Sequence, residues 1–457
     1  MLGERVIQEG LFAKKSPTGG NPGSRQQDLA AEGPDLFTPV EPQTLAESGL
    51  PEQEVHALIL KQLYLGGVSA GRRISDQLKL PFAIIQESLR ELKQQILISY
   101  RGPAAVGDYE IELTSTGSER AKRYLERCTY CGSAPVVFKD YVQAVERQSI
   151  HHCRPRMGDL MKALGDLSLT PSLISQIGQA LSAGRGMFLY GRPGNGKTTI
   201  AERVVRALSP YIWIPRTITI GGEIVRLFDA SNHEEAPQPI PAGLLTKGQI
   251  DRRWVRILRP AIIVGGELTF SQLELSPNEQ TGIIEAPVQL KANCGVLVVD
   301  DFGRQRMSTT ELLNRWIVPL EKRVDFLTLP SGRQMQVPFD QLIVFSTNLE
   351  PRNLVDEAFL RRIPYKIEVQ DPTPDDFRDL MRKTTRRLGL ENNEAAVDHL
   401  LKKHYQEANR QLRFCHVRDL LLQVRNLCEF HELPLELTPG AFDIAVKNYF
   451  SSLGDLH

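Results

Sequence analysis

The sequence has no excess of charge of one sign and no long apolar run. Lysine plus arginine and aspartate plus glutamate both total 55 among 457 residues, so the net charge gives no global reason to expect a polyanionic partner. No stretch approaches the roughly 18 apolar residues that a spanning helix needs, and the first residues lack the apolar core of a signal peptide. We therefore expect neither secretion nor membrane insertion.

Cysteine is also scarce, with six residues in the whole chain. Without a signal peptide, this number favours reduced thiols in a cytoplasmic protein over a disulfide framework. Cys128 and Cys131 have zinc-ligand spacing, and residues 151–153 read His-His-Cys. Contiguous residues rarely converge on one tetrahedral ion, so ordinary structural roles are favoured over a zinc site. The length itself suggests about two to four domains.

The first third of the chain divides into three predicted segments. Residues 1–50 are rich in proline and glycine and nearly lack periodicity, which predicts a disordered tail. Residues 51–127 show three helical patterns and two alternating strands, at 96–100 and 108–114, and this order predicts a winged-helix-like α+β module. Residues 128–166 are expected to form a linker.

The third helix of the predicted module decides between DNA and protein as its partner. Its apolar positions run from Ile84 to Ile96, and Glu87 and Glu91 lie among its basic residues. Acidic residues on this helix weaken its attraction to phosphate. Protein docking or a structural role is therefore favoured over DNA binding, which stays possible.

An apolar strand at 187–190 runs directly into a glycine-rich loop and then a helix. The loop residues are Gly191, Arg192, Pro193, Gly194, Asn195, Gly196, Lys197, Thr198 and Thr199. This strand–loop–helix pattern is a P-loop, whose backbone N–H groups and helix terminus surround the β-phosphate. We expect Lys197 to reach the β- and γ-phosphate oxygens and Thr198 to ligate Mg²⁺.

Two later apolar strands end in polar side chains. The strand at 296–299 is followed by Asp300 and Asp301, and the strand at 342–345 leads to Asn348. The carboxyl edge of a parallel sheet is where nucleotides bind. We expect Asp300 to hold the magnesium ion, Asp301 to polarise the attacking water as a general base, and Asn348 to contact the γ-phosphate or that water.

Arginines complete the predicted site. Arg361 and Arg362 precede a strand-like segment, where a guanidinium can project across a subunit boundary toward a neighbour's γ-phosphate. Residues 371–457 predict a small helical bundle, because Thr373 and Thr438 each stand before a proline at a helix start. Arg418, early in the third helix of this bundle, can reach the nucleotide when the bundle closes.

In this order, the features resemble the AAA+ ATPases over about residues 170–457. The resemblance implies an α/β parallel-sheet core at 167–370 with a helical lid at 371–457, and ATP and Mg²⁺ as cofactors. It implies that the P-loop and Asp300 bind Mg-ATP and that Asp301 activates water. Most of the family has glutamate at the position of Asp301, and the shorter side chain is a departure from that pattern.

The resemblance also implies roles for the remaining polar residues. Asn348 would be sensor one, Arg362 or Arg361 the arginine finger, and Arg418 sensor two. An arginine finger implies a homo-oligomer of ring form, with a hexamer as the expected size.

Two features narrow the resemblance to one branch. Residues 326–337 predict a β-hairpin around Gly332, just before the sensor-one strand, as in the pre-sensor-1 hairpin group. Residues 200–295 exceed one helix and one strand, which predicts an insertion that includes strand-like segments at 213–220 and 260–268. The layout most resembles bacterial predicted ATPases with chaperone activity, sometimes linked to Flp pilus assembly.

The function expected from these observations is that of an oligomeric ATPase that remodels a protein partner, with the N-terminal module as adaptor. The alternative is an ATP-switched regulator that binds DNA through that module. A small-molecule kinase of the P-loop class ranks last, because it leaves Asn348, the arginine pair and the lid unexplained. Asp229 and His233 are expected to cap a polar loop, and the sequence does not identify the client.

Overall fold

The computed structural model describes residues 37–104, 107–239, 249–355 and 357–450. Residues 1–36 of the predicted tail lie outside this range. Residues 37–50 differ from the prediction, because the Phe37 ring lies 5.3 Å from the Trp254 ring and Val40 pairs with Ile250. A short helix, α1 (Leu45–Ser48), follows and is capped by Thr44. These apolar and strand-like contacts order a segment whose own sequence has little periodicity.

The N-terminal module contains the three predicted helices and two predicted strands in the predicted order, together with a two-residue strand and a fourth helix that were not predicted. They are α2 (Glu52–Gly66), β1 (Ser69–Ala70), α3 (Gly71–Leu78), α4 (Phe82–Gln94), β2 (Ile98–Pro103), β3 (Tyr109–Leu113) and α5 (Ser115–Arg127). The strands form an antiparallel sheet with β3 in the centre. The third helix is shorter than predicted, because Ile96 has φ +58° and is 71% exposed. A left-handed residue ends the helix before the apolar pattern does.

The segment predicted as a linker, 128–166, instead packs as part of the folded chain. It contains β4 (Val136–Val137), α6 (Phe138–Arg147), a 3₁₀ turn (Ile150–His152) and α7 (Met157–Leu164). Ile150 and Leu160 belong to the same apolar cluster as strands of the central sheet. The short strand and amphipathic helices gain their partners only in the tertiary fold, which explains why the sequence pattern looked like a linker.

A five-stranded parallel sheet forms the centre of the chain and confirms the predicted α/β class. Its strands are β5 (Met187–Tyr190), β10 (Ala261–Val264), β12 (Val296–Val299), β15 (Leu342–Thr347) and β16 (Tyr365–Glu368), in the spatial order β10-β12-β15-β5-β16. In the register, Val298 lies opposite Ile263 on one side and Val344 on the other. The continuous apolar runs fit strands buried on both faces. Parallel pairing brings the carboxyl ends of β5, β12 and β15 to one edge.

Helices flank this sheet on both faces. They are α8 (Pro171–Ala183), α9 (Lys197–Arg203), α11 (Thr309–Lys322) and α12 (Glu357–Arg362). Trp316 of α11 is fully buried and packs against Phe345 of β15 with ring centroids 6.2 Å apart. Helix α9 carries Ile200 and Ala201 into the opposite apolar cluster. The helix that follows the phosphate loop is thereby fixed to the sheet.

The predicted insertion at 200–295 is only partly separate from the core. The segment 260–268 contains β10, which is an edge strand of the central sheet and not an inserted element. The other strands are β6 (Tyr211–Pro215) paired with β9 (Trp254–Leu258), then β7 (Thr217–Ile220), β8 (Glu223–Arg226) and β11 (Ile284–Glu285), with a short helix α10 (Val288–Lys291). A second sheet has the strand order β11-β8-β7-β4. The segment predicted as a linker contributes β4 to this sheet, and the predicted insertion contributes the other three strands.

The predicted β-hairpin is present and lies just before β15. Strands β13 (Val324–Thr328) and β14 (Gln334–Pro338) pair antiparallel, and Gly332 has φ +80° in the turn between them. Leu327 and Val337 are buried in the apolar cluster of the second sheet. The base of the hairpin is therefore anchored to the insertion.

The last part of the chain is a helical bundle with its own core, called the lid below. It consists of α13 (Pro374–Leu388), α14 (Glu394–His399), a π-helical segment (Leu400–Gln406), α15 (Phe414–Phe430) and α16 (Pro439–Phe450). Thr373 caps α13 and makes a capping box with Asp376. Phe377, Leu420 and Phe442 are fully buried in the bundle core. Within the described part of the chain, no helix combines the length and the apolar character needed to cross a membrane.

Candidate functional site

The phosphate loop is held in shape by two close approaches. Gly191 has φ +135°, and a Cβ atom there would lie 2.4 Å from the carbonyl oxygen of Val369. Gly194 has φ +86°, and a Cβ atom there would lie 2.4 Å from Sγ of Cys415 in the lid. Glycine is required at both positions, because an L side chain would meet strain as well as a clash. The loop therefore fits tightly between the sheet and the lid.

Lys197 lies at the mouth of this loop and makes three hydrogen bonds. Its Nζ donates to the carbonyl oxygens of Gly191 at 2.9 Å and Arg192 at 3.0 Å, and to Oδ1 of Asn348 at 2.7 Å. The residue is 6% exposed. Burial lowers the pKa of Lys197, and the carboxylates of Asp300 and Asp301 oppose that shift. The ammonium group is thus preorganised where the loop and the end of β15 meet.

The two acidic residues after β12 point to different partners. Oδ2 of Asp300 accepts a hydrogen bond from the hydroxyl of Thr198 at 2.9 Å. Oδ1 of Asp301 is 3.4 Å from the amide nitrogen of Asn348. Asp301 has φ +47°, so its side chain leaves the strand in a direction different from that of Asp300. Gln305 donates to the main-chain oxygens of both residues, at 3.0 and 3.2 Å.

The oxygen atoms of Thr198 and Asp300 form a donor pair that suits magnesium. Mg²⁺ binds one or two protein oxygens and fills its remaining positions with water and phosphate oxygens. A hydroxyl and a carboxylate separated by one hydrogen-bond distance at the edge of an open cleft meet that requirement. The residues present therefore fit the ion that the sequence pattern predicts.

The lid contacts main-chain carbonyl oxygens of the phosphate loop. The backbone N–H of Cys415 donates to the carbonyl oxygen of Gly194 at 2.9 Å. The guanidinium of Arg413 donates to the carbonyl oxygen of Pro193 at 3.1 Å. Arg418, one turn further along α15, lines the same cleft as the loop. These contacts place the start of α15 directly over the phosphate loop.

A second connection comes from Asp371, between the central sheet and the lid. Its Oδ1 accepts a hydrogen bond from Nδ2 of Asn195 at 2.7 Å, and its Oδ2 lies 3.5 Å from the guanidinium of Arg192. Asn195 is 2% exposed. Sequence reasoning missed this contact, although Asp371 stands where the composition changes from sheet to helical bundle. The loop therefore contacts the lid through Gly194 and Pro193, and the segment that precedes the lid through Asn195 and Arg192.

The surrounding cleft has a volume of about 840 Å³, which lies within the usual range for small-molecule and cofactor pockets. The loop and the strand ends form one wall, and lid residues form the other. The residues predicted for the site that line it are Pro193, Gly194, Gly196, Lys197, Thr198, Thr199, Asp300, Asp301, Asn348 and Arg418. Lid residues Leu380, Thr384 and Phe414 add a less polar region to it. The arrangement can hold a phosphate chain at one end and a planar base at the other.

The arginine pair lies elsewhere. Arg361 and Arg362 end helix α12, and neither is among the described residues that line the nucleotide cleft. The side chain of Arg361 is 80% exposed, and its guanidinium lies 4.0 Å from the carboxylate of Glu357. The side chain of Arg362 is 29% exposed and lies 3.5 Å from Glu321 of α11. The side chain of Arg361 is thus mostly exposed to solvent, whereas that of Arg362 is mostly covered by its own chain.

The cysteine and histidine residues considered for zinc do not converge. Sγ of Cys131 donates to the side chain of Gln62 at 2.9 Å, and Cys153 is buried beside Ser209 and Arg259. Among the described residues, neither belongs to a group whose ligand atoms lie within 4.8 Å of one another. The geometry favours the structural interpretation of these residues over a metal site.

Asp229 and His233 make the contacts of a loop cap. Oδ1 of Asp229 accepts from the backbone N–H of Ser231 at 2.9 Å, and its Oδ2 pairs with Lys291 at 2.8 Å. A ring nitrogen of His233 lies 3.0 Å from the carbonyl oxygen of Lys291. Hydrogen bonds to Lys291, Ser231 and Asn232 lower the pKa of Asp229, against the burial that would raise it.

Comparison with known proteins gives one family match and several distant relatives. A family described as a domain of unknown function, DUF8689, matches residues 373–448, which lie within the lid. The chain is 26% identical over 240 residues to spastin of Anopheles gambiae, covering 52% of this chain and 23% of that protein. It is 25% identical over 291 residues to the ATPase family gene 2 protein homolog A of Homo sapiens, covering 63% of this chain and 26% of that protein. The chain therefore spans about a quarter of the length of these curated relatives.

Among solved structures, the RuvB Holliday junction branch migration motor of Thermotoga maritima matches with a TM-score of 0.37 and 13% identity. The match covers 61% of this chain and 69% of that one.

Proposed function

The chain belongs to the AAA+ ATPases, and we propose that it binds Mg-ATP, hydrolyses it as a ring-like oligomer, and uses the energy to remodel a protein partner. The observation that carries this proposal is the meeting of Lys197, Thr198, Asp300 and Asn348 in one cleft. They come from three separate places along the chain. Hydrogen bonds join Lys197 to Asn348 at 2.7 Å and Thr198 to Asp300 at 2.9 Å. Such convergence at the carboxyl edge of a parallel sheet is what binding of a nucleoside triphosphate requires.

Nucleotide binding follows from the positions of the site residues. Loop N–H groups surround the β-phosphate, and Lys197 exchanges its carbonyl partners for β- and γ-phosphate oxygens. Thr198 and Asp300 hold the magnesium ion, which neutralises charge on the phosphates when bound. Arg418 supplies a cation from the lid, so that closing of the lid and binding of the triphosphate favour one another.

Hydrolysis is assigned to Asp301 with Asn348 beside it. Asp301 accepts the proton of the attacking water, and Asn348 fixes the water or the γ-phosphate. The backbone of Asp301 is left-handed, a conformation that aspartate and asparagine adopt several-fold more often than longer side chains. The backbone therefore gives a physical reason for aspartate at a position where most of the family has glutamate.

Arg361 is the better candidate for the arginine finger. A finger must leave its own chain to reach the γ-phosphate of a neighbour, and the side chain of Arg361 is largely exposed at the end of α12. Arg362 is half-buried and beside Glu321, which favours a role within its own subunit. This refines the sequence interpretation, which named Arg362 first. A homo-oligomer, with a hexamer as the expected size, follows from a finger acting between subunits.

The remodelling role rests on the two parts outside the nucleotide site. The hairpin of β13 and β14 projects Phe326, an exposed aromatic residue, beside the second sheet. We assign this hairpin to contact with the client, as in the pre-sensor-1 hairpin group. The N-terminal module has the helix and strand order of a winged helix, and we assign it as a protein adaptor.

A DNA-binding regulator is the second candidate, favoured by that winged-helix order. Helix α4 would enter the major groove, but Glu91 lies on it 3.2 Å from His56. Lys93 lies 3.9 Å from the centre of the Tyr100 ring, so part of the positive charge is already engaged. Filter binding to random duplex at low salt separates the two candidates, because the adaptor retains no duplex and the regulator does.

The test of the proposed function is Lys197→Ala in the full-length protein, with Lys402→Ala as a matched control on the lid surface. We expect Lys197→Ala to lose ATP binding or turnover, because the loop then offers no cation to the β- and γ-phosphates. Lys402→Ala should behave as wild type. Binding of a fluorescent ATP analogue and release of phosphate are the measurements. Full turnover by purified Lys197→Ala would refute the assignment of this cleft.

A further inference from the structure

A cluster of His399, His404 and Asp443 lies within the lid. His399 ends α14, His404 lies in the π-helical segment, and Asp443 comes from α16. Nε2 of each histidine lies within hydrogen-bond distance of the same atom, Oδ1 of Asp443, at 2.9 Å for His399. The ligand-type atoms of the three residues all lie within 4.8 Å of one another. The nucleotide site makes no use of any of them.

The π-helical segment is what brings the two histidines together. In a regular α-helix, two residues five apart lie about 140° apart around the axis, so their side chains diverge. A π-helix closes i→i+5 hydrogen bonds and places such residues near one face, and π-helical turns are frequent at functional sites. Here the imidazole rings of His399 and His404 lie 5.8 Å apart at an angle of 74°. The π-helical geometry therefore lets Nε2 of His399 and Nε2 of His404 both contact Oδ1 of Asp443.

From this arrangement, the geometry points to a binding site for a zinc-type divalent ion, formed by Nε2 of His399, Nε2 of His404 and a carboxylate oxygen of Asp443. Zinc binds imidazole nitrogen and carboxylate oxygen at about 2.0–2.2 Å in tetrahedral geometry, which separates the ligand atoms by about 3.4 Å. Both Nε2–Oδ1 distances are now shorter than this separation. Small outward movements of the side chains would make room for the ion. The ion would replace the protons that now bridge the histidines and the aspartate.

The surroundings define what kind of site this is. All three side chains are partly exposed, so water can fill the fourth coordination position. Nζ of Lys403 lies 2.9 Å from Oδ2 of Asp443, which orients the carboxylate while its charge opposes a cation. The ion would connect the π-helical segment to α16, and its expected effect is to stabilise the lid. All three ligands lie inside the segment that matches the domain of unknown function.

The first experiment measures zinc binding to the full-length protein in excess Mg²⁺, after removal of metal with a chelator. We compare wild type, the double variant His399→Ala with His404→Ala, and His431→Ala, an exposed lid histidine outside the cluster. Equilibrium dialysis should show one fewer bound zinc ion in the double variant than in the other two proteins. Zinc should raise the Tm of wild type and His431→Ala but leave that of the double variant unchanged. Equal stoichiometry and equal Tm shifts in all three would overturn the site.

Two further variants keep the test valid if the double variant does not fold. Asp443→Asn keeps the volume and removes the ligand charge, and should weaken zinc binding on the order of a hundredfold. Lys403→Gln removes the opposing charge, and should tighten zinc binding by about fourfold. A role for the cluster in hydrogen bonding alone predicts no change in zinc affinity for either variant. That result would refute the proposal, because both variants act on the charge at the ion.

Cobalt provides a check on which ligands are used, since the chain also has six thiols. Co²⁺ bound by histidine and aspartate gives weak visible bands without the intense thiolate-to-metal absorption of a cysteine site. We expect this nitrogen and oxygen spectrum in wild type and its loss in Asp443→Asn. A thiolate spectrum that is unchanged in Asp443→Asn would assign the bound metal to cysteines and contradict the proposal.

Discussion

Asn195 in the phosphate loop donates through Nδ2 to Oδ1 of Asp371, 2.7 Å away, just before the lid begins. Asn195 is almost fully buried. Its Nδ2 also lies 3.5 Å from a second acceptor, the carbonyl oxygen of Val369. The phosphate loop is therefore held by a residue of the short segment between β16 and α13, which is called the hinge below. We expect this contact to couple the position of the lid to the shape of the loop.

Asp371→Ala should weaken nucleotide binding by about tenfold and lower the Tm. A buried amide that loses its strong acceptor costs about 1–3 kcal/mol, and the loop also loses its fixed shape. Asp375→Ala, an exposed acidic residue in the first turn of α13, is the matched control and should bind as wild type. Titration with a fluorescent ATP analogue measures the effect. Wild-type affinity in Asp371→Ala would show that the hinge contact does not position the loop.

Asp301→Asn should keep nucleotide binding and lower turnover by at least a hundredfold, because binding uses Lys197 and Asp300 while activation of water needs the second carboxylate. Asparagine keeps both the shape and the tolerance for a left-handed backbone. Single-turnover hydrolysis alongside a binding titration separates the two steps. If Asp301→Asn loses binding together with turnover, the roles of the two acidic residues are misassigned.

Asp301→Glu tests the backbone argument independently of the chemistry. A glutamate at φ +47° is strained by roughly 1–2 kcal/mol, so this variant should unfold at a lower temperature than Asp301→Asn. Thermal unfolding of the two variants without nucleotide gives the comparison. Equal Tm values would mean that the left-handed conformation does not select aspartate.

The lid should lose stability as the pH falls from 6.5 to about 4. Burial lowers the pKa of His416 to about 4, Arg413 and Arg410 add to the effect, and Asp419 opposes it. The unfolded chain binds a proton near pH 6.5 while the folded lid does not, so acid favours unfolding within this window. His416→Gln can still accept from the hydroxyl of Tyr405, which lies 3.0 Å from Nδ1. The Tm of His416→Gln should fall less steeply than that of wild type between pH 6.5 and about 4. The Tm of the control variant His431→Ala should fall as steeply as that of wild type.

The sequence predicts the structure best where a short local motif determines the position of a residue or element. The phosphate loop, the double acid after β12 and Asn348 after β15 each follow an apolar strand, and parallel strands bring their ends to one edge. The hairpin around Gly332 and the start of the lid at Thr373 are also local signals. From these local signals alone, the loop, the acidic pair and Asn348 are expected to meet at one edge of the sheet.

The remaining features depend on partners far away in the chain. Strand β4 has two residues and becomes a strand only beside β7, so residues 128–166 looked like a linker. Strand β10 has a core-like apolar pattern, but chain order alone does not tell an edge strand of the central sheet from an inserted element. Asp371 contacts the phosphate loop and Gln305 contacts the acidic pair. No sequence spacing predicts either contact.

The most direct test of the central claim, that a neighbour's arginine completes each hydrolysis site, is ATP turnover in mixtures of inactive variants. Arg361→Ala should bind ATP and, alone, turn over on the order of a thousandfold more slowly than wild type. Mixed with an equal amount of Lys197→Ala, it should recover about a quarter of wild-type turnover, since that share of subunit interfaces pairs an intact loop with an intact finger. Arg362→Ala in the same mixture is the matched comparison. Turnover no higher than the mean of the two separate variants would contradict an arginine finger at position 361.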